Sequence, residues 1–381
     1  MKFRKHLIIL LKLLRPLIQK KQYHKALNAF IIWRLKNIPD KAFTLFLCLV
    51  VGVLSGVSAA LIKNSVHLVE WLLTADIAKD QDSILFFFLP TIGLLLTVLV
   101  IKFVIKQSVG HGIPTTLYAI SKGKGIIHFK KMFSSIITSA ITVGFGGSTG
   151  LEGPTVSTTA AIGSNLAQFL RVSHKTRKLL IGCAAAGALS AIFKAPIAAI
   201  VFAIEVIMLD LTTASLIPLL IASAGAALTS RWIFGTEVLF HFTVKDPFII
   251  TDIPFFILLG GIPRLVAVYF TKVFSFSSAL FDKLKNVWLK VIIGGVLLGG
   301  LIYLLPPLYG EGYETINNLI EGNYAKTLDN SLFIGYRDNI LVIMFYLVAV
   351  VFLKAFDFSQ YSSSTAVPTL NRNKFLNDLI L

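Results

Sequence analysis

A single carboxylate, Glu152, lies within a glycine-rich turn between two apolar segments. The turn, residues 144–154, reads Gly-Phe-Gly-Gly-Ser-Thr-Gly-Leu-Glu-Gly-Pro, and its Pro154 is typical of a first helical turn. A helix start leaves backbone N–H groups unpaired and carries a partial positive charge, which attracts anions. Glycine lets these amides approach a ligand closely. The pattern predicts a helix over residues 155–170 whose start binds an anion in competition with Glu152.

The turn has two other possible interpretations. A nucleotide-binding loop is disfavoured because Gly144 and Gly146 lack the third glycine at dinucleotide spacing and the flanks are membrane-like. A carboxylate that only caps the helix stays open as an alternative for Glu152. Ionisable groups at membrane depth are usually functional, which favours the anion-binding interpretation.

A second glycine turn lies upstream and precedes a short apolar segment. It reads Gly110-His111-Gly112-Ile113-Pro114, and the helix predicted over residues 115–120 is too short to cross a bilayer. Within a membrane such a partial helix is tolerated where its end is buried in protein or lines a water-filled path. Two helix starts that point at one place would form an anion site.

The composition indicates a polytopic membrane protein. The chain has 381 residues, of which 55% are hydrophobic and 14% charged. Its net charge of +17 comes largely from basic residues in short segments between apolar runs, so it indicates membrane orientation and no nucleic-acid partner. The predicted apolar segments are 43–62, 84–104, 133–143, 155–170, 179–189, 196–208, 216–234, 255–274, 291–305 and 340–354.

No motif in the sequence favours an enzyme. The two cysteines, Cys48 and Cys183, lie inside apolar segments and show neither metal-site nor disulfide-framework spacing. No zinc-protease or nucleophile-elbow motif is present. We expect no catalytic activity, no cofactor and no metal site.

Three motifs in order resemble the CLC family of chloride channels and anion/proton antiporters. Residues 150–154, Gly-Leu-Glu-Gly-Pro, match the family signature, and residues 110–114 match its Gly-Ser-Gly-Ile-Pro turn with histidine in place of serine. Residues 187–205, around Phe-Lys-Ala-Pro, resemble the small-residue helix pair of the family. The resemblance implies an all-α polytopic protein of the cell membrane, with the CLC fold of two inverted repeats of tilted and broken helices.

The resemblance also implies a division of the chain. Residues 1–41 are predicted to form a basic amphipathic cytosolic helix, 43–234 the first repeat, 253–355 the start of the second, and 356–381 a divergent tail. The composition changes after Ala355, so the second repeat is expected to be incomplete. Residues 306–313 are expected to form an exposed turn, and Arg264, within an apolar run, is expected to be buried, paired or deleterious.

The resemblance implies roles for the two turns, with Glu152 as the gate that blocks the path when charged and opens it when protonated. The implied anion-binding residues are Gly110, His111, Gly112, Ile113, Pro114, Gly150, Leu151, Gly153 and Pro154. His111 either donates a hydrogen bond to the anion, with a charge when protonated, or turns away and leaves binding to the backbone.

Proton coupling depends on a second acid. Family antiporters usually carry a second glutamate at the place of Val206. Valine carries no proton, which favours passive conduction, and the neighbouring Glu205 is either an alternative proton carrier or a structural acid at a helix end.

The predicted function is transport of chloride or a similar small anion, channel-like or proton-coupled, by a protein that contacts membrane lipid and forms a homodimer if complete. One alternative is a non-conducting truncated or frameshifted fragment. A lesser alternative is a fluoride-selective transporter, for which His111 is not the usual substitution.

Overall fold

The structure is a computed structural model that describes residues 20–77, 85–106, 112–207, 213–235, 239–240, 249–329 and 331–365. These residues form α-helices with short 3-10 and π segments and contain no β-strand. The helices are α1 (Lys20–Asn37), α2 (Asp40–Ile77), α3 (Leu85–Leu99), α4 (Ile113–Ser121), α5 (Lys131–Gly144), α6 (Glu152–Phe169), α7 (His174–Phe193), α8 (Pro196–Phe202), α9 (Thr213–Phe234), α10 (Ile253–Asp282), α11 (Val287–Leu304), α12 (Tyr313–Ile320) and α13 (Ile340–Thr365).

Six of the described helical segments are long and apolar enough to cross a membrane, and two shorter ones are also apolar. Many large apolar side chains are exposed on them, as expected for surfaces that face lipid. The first predicted segment, 43–62, is part of a longer helix, since α2 continues to Ile77. Pro90 lies inside α3 without ending it, and α3 continues as a π-helix over Val100–Ile105.

Small residues bring α2 and α9 into close contact. Gly52 and Gly56 of α2 are one helical turn apart and face Ala222 and Thr229 of α9. A Cβ atom on Gly52 would lie 2.2 Å from the Ala222 carbonyl oxygen. This spacing of small residues is typical of packed transmembrane helices, whose association depends on backbone approach. Together with α5, α6 and α7, these helices form one packed group.

A second packed group consists of α3, α10, α11 and α13. Gly295 and Gly299 of α11 contact Thr91 and Phe87 of α3, where added Cβ atoms would clash with the backbone. Although α3 belongs to the first predicted repeat, it packs on α11 from the second, and it also contacts α5. The packing therefore joins the two predicted repeats, whose boundaries remain predictions.

Three local expectations need correction or restriction. Arg264 is exposed on α10 rather than buried, because α10 packs mainly on α13 and leaves its other faces open. The change in composition after Ala355 does not end the helix, since α13 continues to Thr365. The predicted cytosolic helix over residues 1–41 is described only from Lys20, so residues 1–19 lie outside the described part.

Candidate functional site

The helix predicted from the signature turn begins at Glu152, three residues before the predicted start. Leu151 is the N-cap and provides no side-chain cap, while its carbonyl accepts from the backbone N–H of Thr155 at 3.0 Å and from the Thr155 hydroxyl at 2.6 Å. The first-turn amides are therefore not capped by the N-cap side chain. Glu152 stands at this positive helix end as its first residue.

The second turn leads to a helix start that adjoins the first. Gly112 is the N-cap of α4, with a φ of 55°, and Pro114 occupies its first turn. A Cβ atom at Gly112 would lie 3.0 Å from the carbonyl carbon and oxygen of Gly153. Only glycine fits both the left-handed backbone and this contact. The structure thus brings the starts of α4 and α6 together, as the two turns predicted.

The remaining predicted anion-binding residues fall into two sets. The described turns contain Ile113, Gly150, Leu151, Gly153 and Pro154. Gly150 lies so close to the Glu152 side chain that a Cβ atom on Gly150 would be 2.0 Å from a carboxylate oxygen. Gly110 and His111 lie outside the described residues. The two alternatives for the His111 ring therefore stay open.

The segment expected to be an exposed turn instead covers the signature turn. We call residues 305–313 the covering loop; its Leu308 is fully buried. The ring of Tyr309 lies over Gly146, whose φ is 86°, and a Cβ there would lie 2.2 Å from that ring. The N–H of Gly310 donates to the Gly146 carbonyl at 3.4 Å. The expectation of an exposed turn was wrong because the glycines of both segments allow close backbone packing.

Tyr313, at the start of α12, contacts the candidate gate directly. Its hydroxyl donates a hydrogen bond to Oε1 of Glu152. Burial raises the pKa of the Tyr313 hydroxyl, and the neighbouring Glu152 charge raises it further, so the hydroxyl stays a donor. Phe240 packs edge-on against the Tyr313 ring at 5.8 Å. No motif in the sequence indicates this contact, because the partners are 161 residues apart.

Lys354 of α13 joins the signature turn to the covering loop. Its Nζ donates to the buried Ser148 Oγ at 2.5 Å, to the Leu308 carbonyl at 3.3 Å and to the Gly310 carbonyl at 3.2 Å. In the sequence, Lys354 is only the last residue of an apolar run. A signal was available, since a lysine next to so apolar a segment is costly unless it has partners.

A cavity of about 270 Å³ lies beside the start of α6. The cavity is lined by Leu151 of the signature turn and Thr155 of α6. It is also lined by Glu311 of the covering loop and Tyr313 at the start of α12, and further lining residues come from α2 and α9. Its basic lining residues are Lys63 and Lys194. The Lys194 ammonium donates to the Gly235 carbonyl at 2.9 Å. The cavity therefore combines positive charge, hydroxyl groups and a carboxylate next to Glu152.

The proposed proton carrier Glu205 is placed elsewhere. It lies in the π-helical segment Ala203–Ile207 after α8, is exposed, and does not line the cavity beside Glu152. Val206 is half-buried against the small-residue helices. The geometry leaves both interpretations of Glu205 open.

Within the described residues, no group of three potential metal ligands occurs. The two cysteines, which are far apart in sequence, lie against each other in the core between α2 and α7. The Cys183 thiol donates to Cys48 Sγ at 3.6 Å, and both are free and fully buried.

A family model of voltage gated chloride channels matches residues 92–368, which is more than half of the chain. The chain belongs to the voltage gated chloride channel family. The match includes both glycine turns, the covering loop and Lys354. The apolar helices of this chain agree with a membrane protein of several spans.

Individual members of the family show how far the similarity extends. The H(+)/Cl(-) exchange transporter ClcA of Vibrio cholerae is 28% identical over 305 residues, which cover 76% of this chain and 65% of ClcA. The chain spans 55% of the length of another relative, a ClcB-like protein of Ralstonia nicotianae.

Solved structures of the family have the same fold. A CLC-type fluoride/proton antiporter superposes with a TM-score of 0.66 at 23% identity, covering 84% of this chain and 75% of the antiporter. A slow cyanobacterial Cl-/H+ antiporter gives a TM-score of 0.66 at 20% identity, covering 86% of this chain and 75% of that one. The chain therefore has the CLC fold.

Proposed function

We propose that the chain conducts chloride or a similar small anion along a path that passes the adjoining starts of α4 and α6, with Glu152 as its gate. The observation that carries this proposal is the position of Glu152 as the first residue of α6, beside the contact between Gly112 and Gly153. Two helix starts there supply backbone donors and positive dipole ends.

The gate follows from competition between two anions. A charged Glu152 side chain occupies the positive helix end and excludes the permeating anion. When Glu152 takes up a proton, its attraction to this end falls, and the side chain gives way to the anion. The hydroxyl of Tyr313 stabilises the charged form through a charge-assisted hydrogen bond, so it supports the closed arrangement.

Whether anion flow is passive or coupled to protons depends on a second proton carrier. The absence of an acid at Val206 supports passive conduction, and the exposed Glu205 is the available alternative for coupling. ClcA and the two antiporters couple anions to protons, as their names state. We therefore propose an anion path in which anion flow is either passive or coupled to protons.

The predicted homodimer is also part of this proposal. The short α8 and the adjacent α9 expose apolar side chains, including Ile197, Leu228 and the 88% exposed Trp232. A second copy of the chain or lipid would cover this surface. A chain that conducts no anion is the competing function.

The test is chloride efflux from proteoliposomes that contain the purified chain. We expect efflux that rises as the pH falls, and we expect Glu152→Gln and Glu152→Ala to give efflux that is open and independent of pH. Glu314→Gln, which removes an exposed acid of α12, is the matched control and keeps the parental pH profile. Efflux that retains its pH dependence without Glu152 would contradict the gate, and no efflux from any variant would favour the non-conducting alternative.

A further inference from the structure

Glu311 is a second carboxylate at the entrance to the proposed path. It lies in the covering loop between Gly310 and Gly312, whose φ angles are 62° and 85°. Its side chain lines the same cavity as Leu151 and Tyr313, which flank and contact the gate. The Glu311 carboxylate therefore borders the cavity and the N-terminal end of α6, of which Glu152 is the first residue.

The Glu311 side chain is half-buried and makes no hydrogen bond or ion pair with any residue that the structure describes. Structural acids in protein interiors are normally paired or hydrogen-bonded. An acid that lines a cavity without such a partner is available to exchange protons with water there. Its position is therefore better explained by proton transfer than by a role in packing.

The surrounding charges come from several elements. On α2, Lys63 and His67 favour the charged form of Glu311, whereas Glu70 opposes it. Glu152 on α6 also opposes the charged form. The further titratable and charged groups around the covering loop are the Tyr309 and Tyr313 hydroxyls, the Lys194 ammonium in the cavity wall, and the Lys354 ammonium on the Gly310 carbonyl.

These influences leave Glu311 able to change charge near neutral pH. Burial is the largest influence on the pKa of Glu311. Together with the charges of Glu152 and Glu70, burial raises this pKa to about 7. Like charges disfavour simultaneous ionisation of neighbouring carboxylates, so the two acids are expected to influence each other's protonation.

We propose that Glu311 is a proton relay, which takes protons from water in the cavity and passes them to the Glu152 carboxylate. Hydronium protonates a Glu311 oxygen and leaves water. The Glu311 carboxylic acid then loses that proton, through water or the Tyr313 hydroxyl, to Glu152, which becomes neutral while Glu311 regains its negative charge. This inference rests on the proposed function of Glu152 and adds the group that supplies its proton.

The first test measures anion efflux against pH in four variants. Glu311→Gln removes the relay, and Glu314→Gln, three residues later on an exposed face, is the matched control. We expect Glu311→Gln to slow the opening of the path after a sudden fall in pH by about 100-fold, the lower end of the range for loss of a positioned acid or base. In a Glu152→Ala background the added Glu311→Gln change has no effect, because no gate remains to receive a proton.

Two outcomes of this test would overturn the relay. Opening at the parental rate in Glu311→Gln would show that Glu152 receives its proton elsewhere. Slower efflux caused by Glu311→Gln in the Glu152→Ala background would show that Glu311 shapes the path itself. Loss of pH dependence in Glu152→Ala separates the proposed function from the relay.

A second measurement applies even if the chain conducts nothing. Infrared difference spectra of the purified protein, recorded across a pH titration, report a carboxyl group that loses its proton. We expect a carboxyl signal with a midpoint near pH 7 that Glu311→Gln removes and Glu314→Gln retains. A titration in which Glu311→Gln removes no carboxyl signal near neutral pH would overturn the relay independently of any flux.

Discussion

The hydroxyl of Tyr313 donates a hydrogen bond to the Glu152 carboxylate, across 161 residues of sequence. This contact links the first residue of α6 to the first residue of α12. The covering loop therefore contacts the proposed gate and is not simply an exposed turn.

Removal of this hydroxyl is expected to ease opening of the path. In Tyr313→Phe the charged form of Glu152 loses a hydrogen bond worth about 1.5 to 3 kcal/mol when fully buried, and less here because the pair is partly exposed. We predict that half-maximal chloride efflux moves to higher pH by about one unit. The control Tyr303→Phe changes an exposed tyrosine of α11 and leaves the midpoint in place. A midpoint that stays fixed in Tyr313→Phe would show that the hydroxyl does not influence the gate.

Loss of the Lys354 ammonium is expected to loosen the covering loop. Lys354→Met retains the length of the side chain but leaves Ser148 Oγ and two carbonyls without their charged donor. We predict a loss of about 2 kcal/mol in stability, seen as a lower unfolding temperature in detergent. Lys272→Met, at an exposed position on α10, serves as the control. Equal unfolding temperatures for both variants would contradict the role of Lys354.

Gly146 is expected to tolerate no side chain. Gly146→Ala places a Cβ against the Tyr309 ring and in a left-handed conformation, which together cost about 2 to 4 kcal/mol. The double variant Gly146→Ala with Tyr309→Ala is expected to recover the part that comes from the clash. Gly260→Ala is the control, because no atom lies within 4 Å of the added Cβ and alanine favours a helix. An unfolding temperature unchanged in Gly146→Ala would refute the packing of the covering loop on the turn.

The stabilising contribution of Glu311 is expected to fall as the pH rises from 4.5 to about 7. Folding raises the pKa of Glu311 from 4.5 to about 7, so the native state binds this proton more tightly than the unfolded state. Such a group stabilises the fold below its unfolded pKa, and the contribution is lost as the pH rises through the folded pKa. We predict that Glu311→Gln raises the unfolding temperature at pH 8 relative to the parent by more than it does at pH 5. The same difference at both pH values would contradict a raised pKa at Glu311.

Much of the local structure followed from the sequence. Apolar runs and basic loops predicted a polytopic membrane protein, the resemblance to the CLC family implied the all-α fold, and the two glycine turns predicted the short α4 and the start of α6. Such features are encoded within a few residues of one another.

Contacts between distant segments did not follow from the sequence. Nothing near Tyr309 or Tyr313 indicates that these residues cover a turn more than 150 positions earlier, and the covering loop was expected to be exposed. Of the alternatives for Arg264, burial was wrong. Its apolar neighbours suggested burial, but apolar surroundings in a membrane protein are equally consistent with an exposed helix face.

The contact between Lys354 and Ser148 has a consequence for biosynthesis. The partners are 206 residues apart, so at about 5 to 20 residues per second translation needs about 10 to 40 s to proceed from one to the other. During that interval the nascent chain contains the glutamate-bearing turn without the lysine that later holds it. The helices made first must hold this turn in place until α13 emerges from the ribosome and Lys354 can bind Ser148.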